Sequence, residues 1–212
     1  MPQDQKEKEE KMLSLTSPEA WQAIGISTLM LFAFIAVLYD LRQRRIPNQL
    51  VVLMLVAGLL INLIGPQAGL RMAGLFTSMP GALGIKGAGL GALTGLALFL
   101  PLYLMCAMGA GDVKLMAGMG SFVGPATAVN LALFILVTGG VMAVARMLWT
   151  GKSQLVMFNV AAALGQMLPG SSSTFDPATQ SADRMPYAVA MAGGLLAYGA
   201  WIFSGRDPLI IF

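Results

Sequence analysis

Gly109-Ala110-Gly111-Asp112-Val113-Lys114-Leu115 is the stretch from which the fold can be worked out, because it places a carboxylate directly after a long apolar run. Between Glu19 and Asp176 the chain contains only one other carboxylate, Asp40. Each of the two stands at the end of a predicted transmembrane helix. A charge at a membrane edge is costly enough to indicate a functional site. The sequence therefore marks Asp40 and Asp112 as candidate functional residues.

The composition indicates an integral membrane protein. Of the 212 residues, 57% are hydrophobic and 11% are charged, whereas about 25% of residues are charged in a soluble domain. The apolar residues also come in long runs. We therefore predict an all-α fold, a polytopic membrane helix bundle of about six transmembrane helices.

The runs divide the chain into a polar N-terminal tail, residues 1–20, and a membrane domain, residues 21–205. The predicted helices span residues 21–39, 48–64, 87–108, 113–123, 126–149 and 186–203. The fourth is short for a crossing, which needs about 20 residues, so we expect a short or tilted helix.

Smaller features of the spans and loops carry further expectations. Glycines 87, 91 and 95 follow a four-residue spacing that predicts a close helix contact, and Pro101 predicts a kink. Asn62 and Asn130 are expected to form interhelical hydrogen bonds. We expect an interfacial or re-entrant piece at residues 70–78, an amphipathic helix at 153–168 and an irregular loop at 169–183.

The first predicted helix leads into Asp40-Leu41-Arg42-Gln43-Arg44-Arg45-Ile46-Pro47-Asn48. Three arginines in so short a loop favour the cytoplasmic side of a membrane, and Pro47 suits the first turn of the next helix. Counting crossings then places Asp40 and Asp112 on the same, cytoplasmic side.

Several classes of function are excluded by what the chain lacks. It has no histidine and a single cysteine, Cys106, which removes Ser-His and Cys-His nucleophiles, histidine-based zinc sites and thiolate metal clusters. We expect no metal and no cofactor. The formal charge of +3 is scattered, so nucleic-acid binding is not expected.

Two neighbouring carboxyls can share one proton, because both cannot ionise cheaply. One then acts as a base that activates water and the other as an acid that polarises a carbonyl, with the roles of Asp40 and Asp112 left open. Gly109 and Gly111 would allow close backbone approach or unusual backbone angles. Lys114 is either a membrane-edge lysine or a group that steers the pair.

Simpler interpretations stand beside this one. Asp40 could be a surface charge paired with Arg42 or Arg44, and Asp112 could cap the N-terminus of the following helix. A different functional class, a small proton-coupled transporter or channel, would also need acids within the membrane. Its acids are expected near the bilayer midplane at broken helices.

The two aspartate motifs resemble those of a known family. Gly109-x-Gly111-Asp112-x-Lys114-Leu115 resembles the Gly-x-Gly-Asp signature of intramembrane aspartic proteases. Asp40-x-Arg42-x-x-Arg45-Ile46-Pro47-Asn48 resembles the first-aspartate motif of type IV prepilin peptidases, and Pro186-Tyr187 resembles the opening of their last helix. The likeness covers roughly residues 20–205.

The resemblance implies an endopeptidase of the bacterial inner membrane, with Asp40 and Asp112 as catalytic residues and the other motif positions in support. Its substrates would be prepilins or pseudopilins, cut at the cytoplasmic face, with membrane lipid and the pilus assembly machinery as further partners. The chain is similar to the short, peptidase-only form associated with tight-adherence (Flp-type) pili. It lacks the Cys-x-x-Cys region of the longer members, so N-methyltransferase activity is not expected.

Overall fold

The computed structural model describes residues 17–66, 74–77, 80–105, 108–150 and 186–210. These residues form six helices, and the predicted all-α bundle is confirmed. The predictions for residues 1–16, 70–73, 78, 153–168 and 169–183 concern residues outside the described ranges. The six helices are α1 Pro18–Gln43, α2 Asn48–Ile64, α3 Gly84–Leu104, α4 Ala110–Val123, α5 Pro125–Thr150 and α6 Tyr187–Phe203.

Three of these helices, α1, α3 and α5, are long and apolar enough to cross a membrane. The helices α2 and α6 are also apolar but have 17 residues each. Large aliphatic side chains such as Leu53, Leu93 and Val137 are more than half exposed on the outside of the bundle. Since water would penalise so much apolar surface, the chain is a membrane protein.

The short helix α4 is the centre of the bundle. It contacts all five other helices, and ten of its 14 residues are buried. A helix of this length is about 21 Å long, shorter than the roughly 30 Å hydrocarbon core. The predicted short fourth helix is thus confirmed, and its neighbours rather than lipid surround it.

Helices α3 and α4 cross at a point where neither has a side chain. A Cβ atom at Gly91 would collide with the carbonyl oxygen of Gly120, and one at Gly120 would collide with that of Gly91. Gly95 in turn faces the backbone of Met116. The close contact predicted from the glycine spacing is confirmed for Gly91 and Gly95, but Gly87 meets only Leu83, just before its own helix. Pro101 lies inside α3, and its kink stays a prediction.

A buried asparagine joins three helices at the end of the bundle opposite Asp40. Asn62 Nδ2 donates to the carbonyl oxygens of Ser121 and Phe122 in α4, at 3.0 and 3.1 Å. Its Oδ1 accepts a hydrogen bond of 3.1 Å from the Leu83 N–H, just before α3. The predicted interhelical role of Asn62 is confirmed, and we call this end the far end.

Asn130 has a different kind of partner from the one predicted. Its side chain exchanges two hydrogen bonds of 2.9 Å with the backbone of Ile210. Ile210 lies after α6, in the segment that folds back over the start of α5. The prediction of a helix partner for Asn130 was wrong, because the chain beyond the last helix supplies both backbone groups.

Residues 74–77 also pack at the far end. Leu75 and Phe76 are almost completely buried, and the carbonyl oxygen of Leu75 accepts a 2.8 Å hydrogen bond from Gln22 Nε2 of α1. Phe76 packs against the ring of Tyr198 in α6. These four residues therefore enter the bundle instead of lying at an interface.

Candidate active site

Asp40 lies in the last turn of α1 and is only 8% exposed. The helix continues to Gln43, past the predicted end at residue 39, and stops where Arg44 adopts a left-handed conformation with φ 52°. The Arg44 N–H donates to the Asp40 carbonyl oxygen at 2.9 Å. Asp40 is therefore a helical residue with a fixed backbone, not part of a loop.

The Asp40 side chain points towards the start of α6. Its Oδ2 atom accepts a hydrogen bond of 3.0 Å from the backbone N–H of Ala188. The first N–H groups of a helix have no partner within the helix and attract negative charge. Arg42 and Arg44 are exposed while Asp40 is buried, so the interpretation of Asp40 as a surface ion pair was wrong.

Asp112 lies in the first turn of α4 and partly caps it. Its Oδ2 atom accepts a 3.1 Å hydrogen bond from the Gly109 N–H, and its own N–H donates to the Gly109 carbonyl oxygen at 3.1 Å. Gly109 is the N-cap residue. The capping role considered for Asp112 is therefore real, and it engages only one of the two carboxyl oxygens.

The Asp112 carboxyl also interacts with Asp40. Burial raises the pKa of Asp112 from 3.8 to about 6, the Gly109 N–H opposes this change, and the charge of Asp40 adds to it. Asp112 lies at the polar end of α4, which is not among the candidate membrane spans. Two carboxyls that are 72 positions apart in the sequence thus influence each other at one end of the bundle.

The two motif glycines lie beside Asp112 for different reasons. Gly109 has φ −79° and ψ 153°, which any residue can adopt, and Gly111 lies within α4. The unusual-angle alternative for these glycines was therefore wrong. A Cβ atom at Gly111 would lie 3.3 Å from Cβ of Ile46, so Gly111 lets the loop after α1 approach the start of α4.

The remaining motif residues hold the start of α2 against the start of α4. Pro47 is the N-cap of α2, one position before the predicted first turn. Lys114 Nζ donates to Oδ1 of Asn48 at 3.1 Å. Lys114 and Arg45 are exposed. The Lys114 contact links the starts of α2 and α4, a role that differs from both a membrane-edge lysine and a group that steers the aspartate pair.

Tyr187 is a site residue that reasoning from the residue pattern missed. It begins α6, next to Ala188, and its hydroxyl is close enough to Asp112 to be affected by the carboxylate charge. The resemblance of Pro186-Tyr187 to a family motif was the only signal for it. Within the described ranges, no group of three or more acidic, cysteine or histidine side chains could hold a metal ion.

A model of the Type IV leader peptidase family matches residues 27–144, more than half of the chain. The chain belongs to this family. The match includes both aspartates and the whole loop between α1 and α2. The resemblance stated from the sequence is therefore confirmed. No curated protein and no solved structure matches the chain.

Membership in the leader peptidase family makes the chain a membrane peptidase. The matched residues contain most of α1, all of α2 to α4 and most of α5, hence the elements that carry Asp40, Asp112, Asn48 and Lys114. Helix α6 lies beyond the match, although it supplies the amide that binds Asp40. The structure therefore adds a sixth helix to the site.

Proposed function

We propose that this leader peptidase is an aspartic endopeptidase that removes the leader peptide of type IV prepilins or pseudopilins. The observation that supports the proposal is the convergence of the Asp40 and Asp112 carboxyls, from the end of α1 and the start of α4. Such a pair can perform acid and base catalysis without another group.

In the proposed reaction, Asp112 is the acid and Asp40 is the base. Asp112 retains a proton to a higher pH than an ordinary aspartic acid because its pKa is raised to about 6. The Ala188 N–H at the start of α6 donates to Oδ2 of Asp40, and this contact holds the carboxyl that acts as the base. These contacts support this proposal for the two roles, which the sequence left open.

The bond changes then follow. Asp40 takes a proton from a water molecule, whose oxygen bonds to the scissile carbonyl carbon, and Asp112 gives its proton to the carbonyl oxygen. When the carbonyl re-forms, the C–N bond breaks and the new amine takes a proton from Asp40. Asp112 recovers its proton from the hydroxyl group, and both carboxyls return to their starting state.

The proposed substrate is a pilin helix in the bacterial inner membrane, cut at the cytoplasmic face. Arg42, Arg44, Arg45 and Lys114 are exposed around the aspartate end, and basic residues favour the cytoplasmic side. Membrane lipid surrounds the bundle in this proposal, and the pilus assembly machinery receives the product. The proposal includes no N-methyltransferase step.

The positions of the aspartates favour a peptidase over a proton-coupled transporter. Coupling acids of transporters are expected near the middle of the membrane, at interrupted helices. Asp40 lies in the last turn of α1 and Asp112 in the first turn of α4. Neither helix is interrupted at its aspartate, and both aspartates lie at the same end of the bundle.

The test is cleavage of a prepilin co-expressed with the full-length chain, followed by the change in substrate mass. We expect Asp40→Asn and Asp112→Asn each to abolish cleavage, because each removes one partner of the proton exchange while preserving side-chain size. Asp207→Asn is the matched control, since Asp207 is an exposed carboxyl beyond α6 at the far end.

Protein levels in the membrane fraction must be equal for all three variants. Cleavage by either Asp40→Asn or Asp112→Asn at the wild-type rate would overturn the two-carboxyl mechanism. An inactive Asp207→Asn variant would mean that loss of any carboxyl impairs the protein, and the mechanism would then lose its support.

A further inference from the structure

The start of α6 meets both aspartates. Ala188, the second residue of this helix, donates its N–H to Asp40 Oδ2 at 3.0 Å. Tyr187, the first residue, lies close enough to Asp112 for the two groups to interact electrostatically. One residue of this helix therefore binds the Asp40 carboxyl, and the residue before it lies within electrostatic range of the Asp112 carboxyl.

The Tyr187 hydroxyl is held in a gap on α5. A Cβ atom at Gly139 would lie 3.2 Å from Tyr187 Oη and 3.4 Å from two atoms of its ring. The distance to Oη is tighter than ordinary van der Waals contact, so the missing side chain at Gly139 makes the space for the hydroxyl. The ring also packs against the hydrophobic core.

The hydroxyl has capacity to donate at this position. A tyrosine hydroxyl can both donate and accept a hydrogen bond, and no hydrogen bond from Tyr187 Oη occurs within the described residues. The side chain is only partly buried, so part of it is open to a molecule bound beside the aspartates. A preorganised donor beside a reacting carbonyl stabilises the negative charge that develops on its oxygen.

We propose that Tyr187 is a third catalytic residue, whose hydroxyl donates a hydrogen bond to the oxygen of the scissile carbonyl during attack by water. This inference rests on the proposed peptidase function. The hydroxyl transfers no proton. It stabilises the oxygen that receives the Asp112 proton, and it remains a phenol throughout the reaction.

The main test is Tyr187→Phe in the full-length enzyme, with initial rates measured against prepilin concentration in reconstituted membranes. Loss of one donor to a developing oxyanion reduces kcat by about a hundredfold, and we expect KM to change little. Tyr198→Phe is the matched control, because Tyr198 lies in the same helix but packs against Phe76 and Phe134 at the far end. Its kcat should equal that of the wild type.

A second pair of variants moves the hydroxyl without removing it. Gly139→Ala pushes against Tyr187 Oη, and a displacement of a few tenths of an ångström should lower kcat by about tenfold. Gly140→Ala is its control, since a Cβ atom at Gly140 meets nothing within 4 Å. Incorporation of fluorotyrosine at position 187 retains the ring and the donor, and should keep most of the wild-type kcat.

The outcomes separate this inference from the proposed function. A wild-type enzyme that does not cleave prepilin overturns both. A wild-type enzyme that cleaves, with kcat unchanged in Tyr187→Phe, overturns only the role of Tyr187. Equal losses in Tyr187→Phe and Tyr198→Phe, or a fluorotyrosine enzyme as slow as Tyr187→Phe, would show a packing effect and also overturn it.

Discussion

Asp112 performs two tasks with one carboxyl group. Oδ2 accepts the Gly109 N–H and so stabilises the start of α4, while burial and the nearby charge of Asp40 raise the pKa of the group to about 6. A residue used only as a cap would gain most from full ionisation. Burial and the Asp40 charge oppose that ionisation. We therefore interpret the start of α4 as placing Asp112 at the site, and not only as capping the helix.

The raised pKa of Asp112 predicts how cleavage depends on pH. If Asp112 must carry a proton, the rate should fall about tenfold for each pH unit above about pH 6. The same shift stabilises the folded state below pH 3.8, and this contribution is lost as the pH rises through about 6. Initial rates of prepilin cleavage across this range would test the prediction.

The control for this pH profile is the titration of Asp112 in the Asp40→Asn variant. Removing the Asp40 charge should lower the pKa of Asp112, because that charge is one of the two causes that raise it. Infrared spectra of isotope-labelled aspartate would follow the protonated carboxyl directly. An unchanged titration in the variant would show that the two carboxyls do not interact.

At the scale of elements, the bundle depends on how closely α3 and α4 approach. Gly91 and Gly120 face each other backbone to backbone, which allows the buried α4 to fit among five neighbours. In lipid, the hydrophobic effect does not drive helices together. Close packing of the two backbones at small residues stabilises such a crossing instead. The position of Asp112 at the start of α4 therefore depends on a contact in the other half of the helix.

We predict that Gly91→Ala destabilises the protein by about 1–3 kcal/mol, because the added methyl group meets the carbonyl oxygen of Gly120. Gly89→Ala is the matched control in the same helix, with nothing within 4 Å of its Cβ atom. It should be neutral or stabilising by up to about 1 kcal/mol. Thermal unfolding in detergent measures both, and equal melting temperatures would contradict the role of this crossing.

The helices themselves could be predicted from long apolar runs, and α2 begins and ends at its predicted residues 48 and 64, but the two ends of α1 were wrong. Helix α1 extends beyond its predicted range at both ends, from Pro18 to Gln43. At its start, Ser17 accepts the Ala20 N–H and Pro18 occupies the first turn, both of which are known start signals that the tail obscured. At its end, the left-handed turn at Arg44 has no glycine to indicate it.

At the scale of the whole molecule, the two ends of the helix bundle differ in their chemistry. The far end is closed by amide hydrogen bonds from Asn62 and by the buried side chains of Leu75 and Phe76. The other end carries the aspartates. Counting helix crossings predicts that Asp40 and Asp112 share an end, since each crossing reverses the chain. Counting could not predict the Ala188 contact, which joins residues 148 positions apart through the packing of α1 on α6.

The two ends also differ in charge, and this difference predicts their orientation. Among the described residues, the aspartate end carries more basic side chains than the far end, which has Lys86 and Arg206 together with the acidic Glu19 and Asp207. The described basic residues of the aspartate end are Arg42, Arg44, Arg45, Lys114 and Arg146. Basic residues near helix ends are retained on the cytoplasmic side, so the aspartate end should face the cytoplasm.

Single cysteines can test this orientation in a Cys106→Ser background. Gln49→Cys places an exposed thiol on the first turn of α2, at the aspartate end, and Ser204→Cys places one just after α6, at the far end. In intact cells with a permeable outer membrane, an impermeant maleimide should label position 204 and not position 49. After the inner membrane is opened, both positions should react. Labelling of position 49 in intact cells would place the aspartates outside the cytoplasm, where a leader that has not crossed the membrane could not reach them.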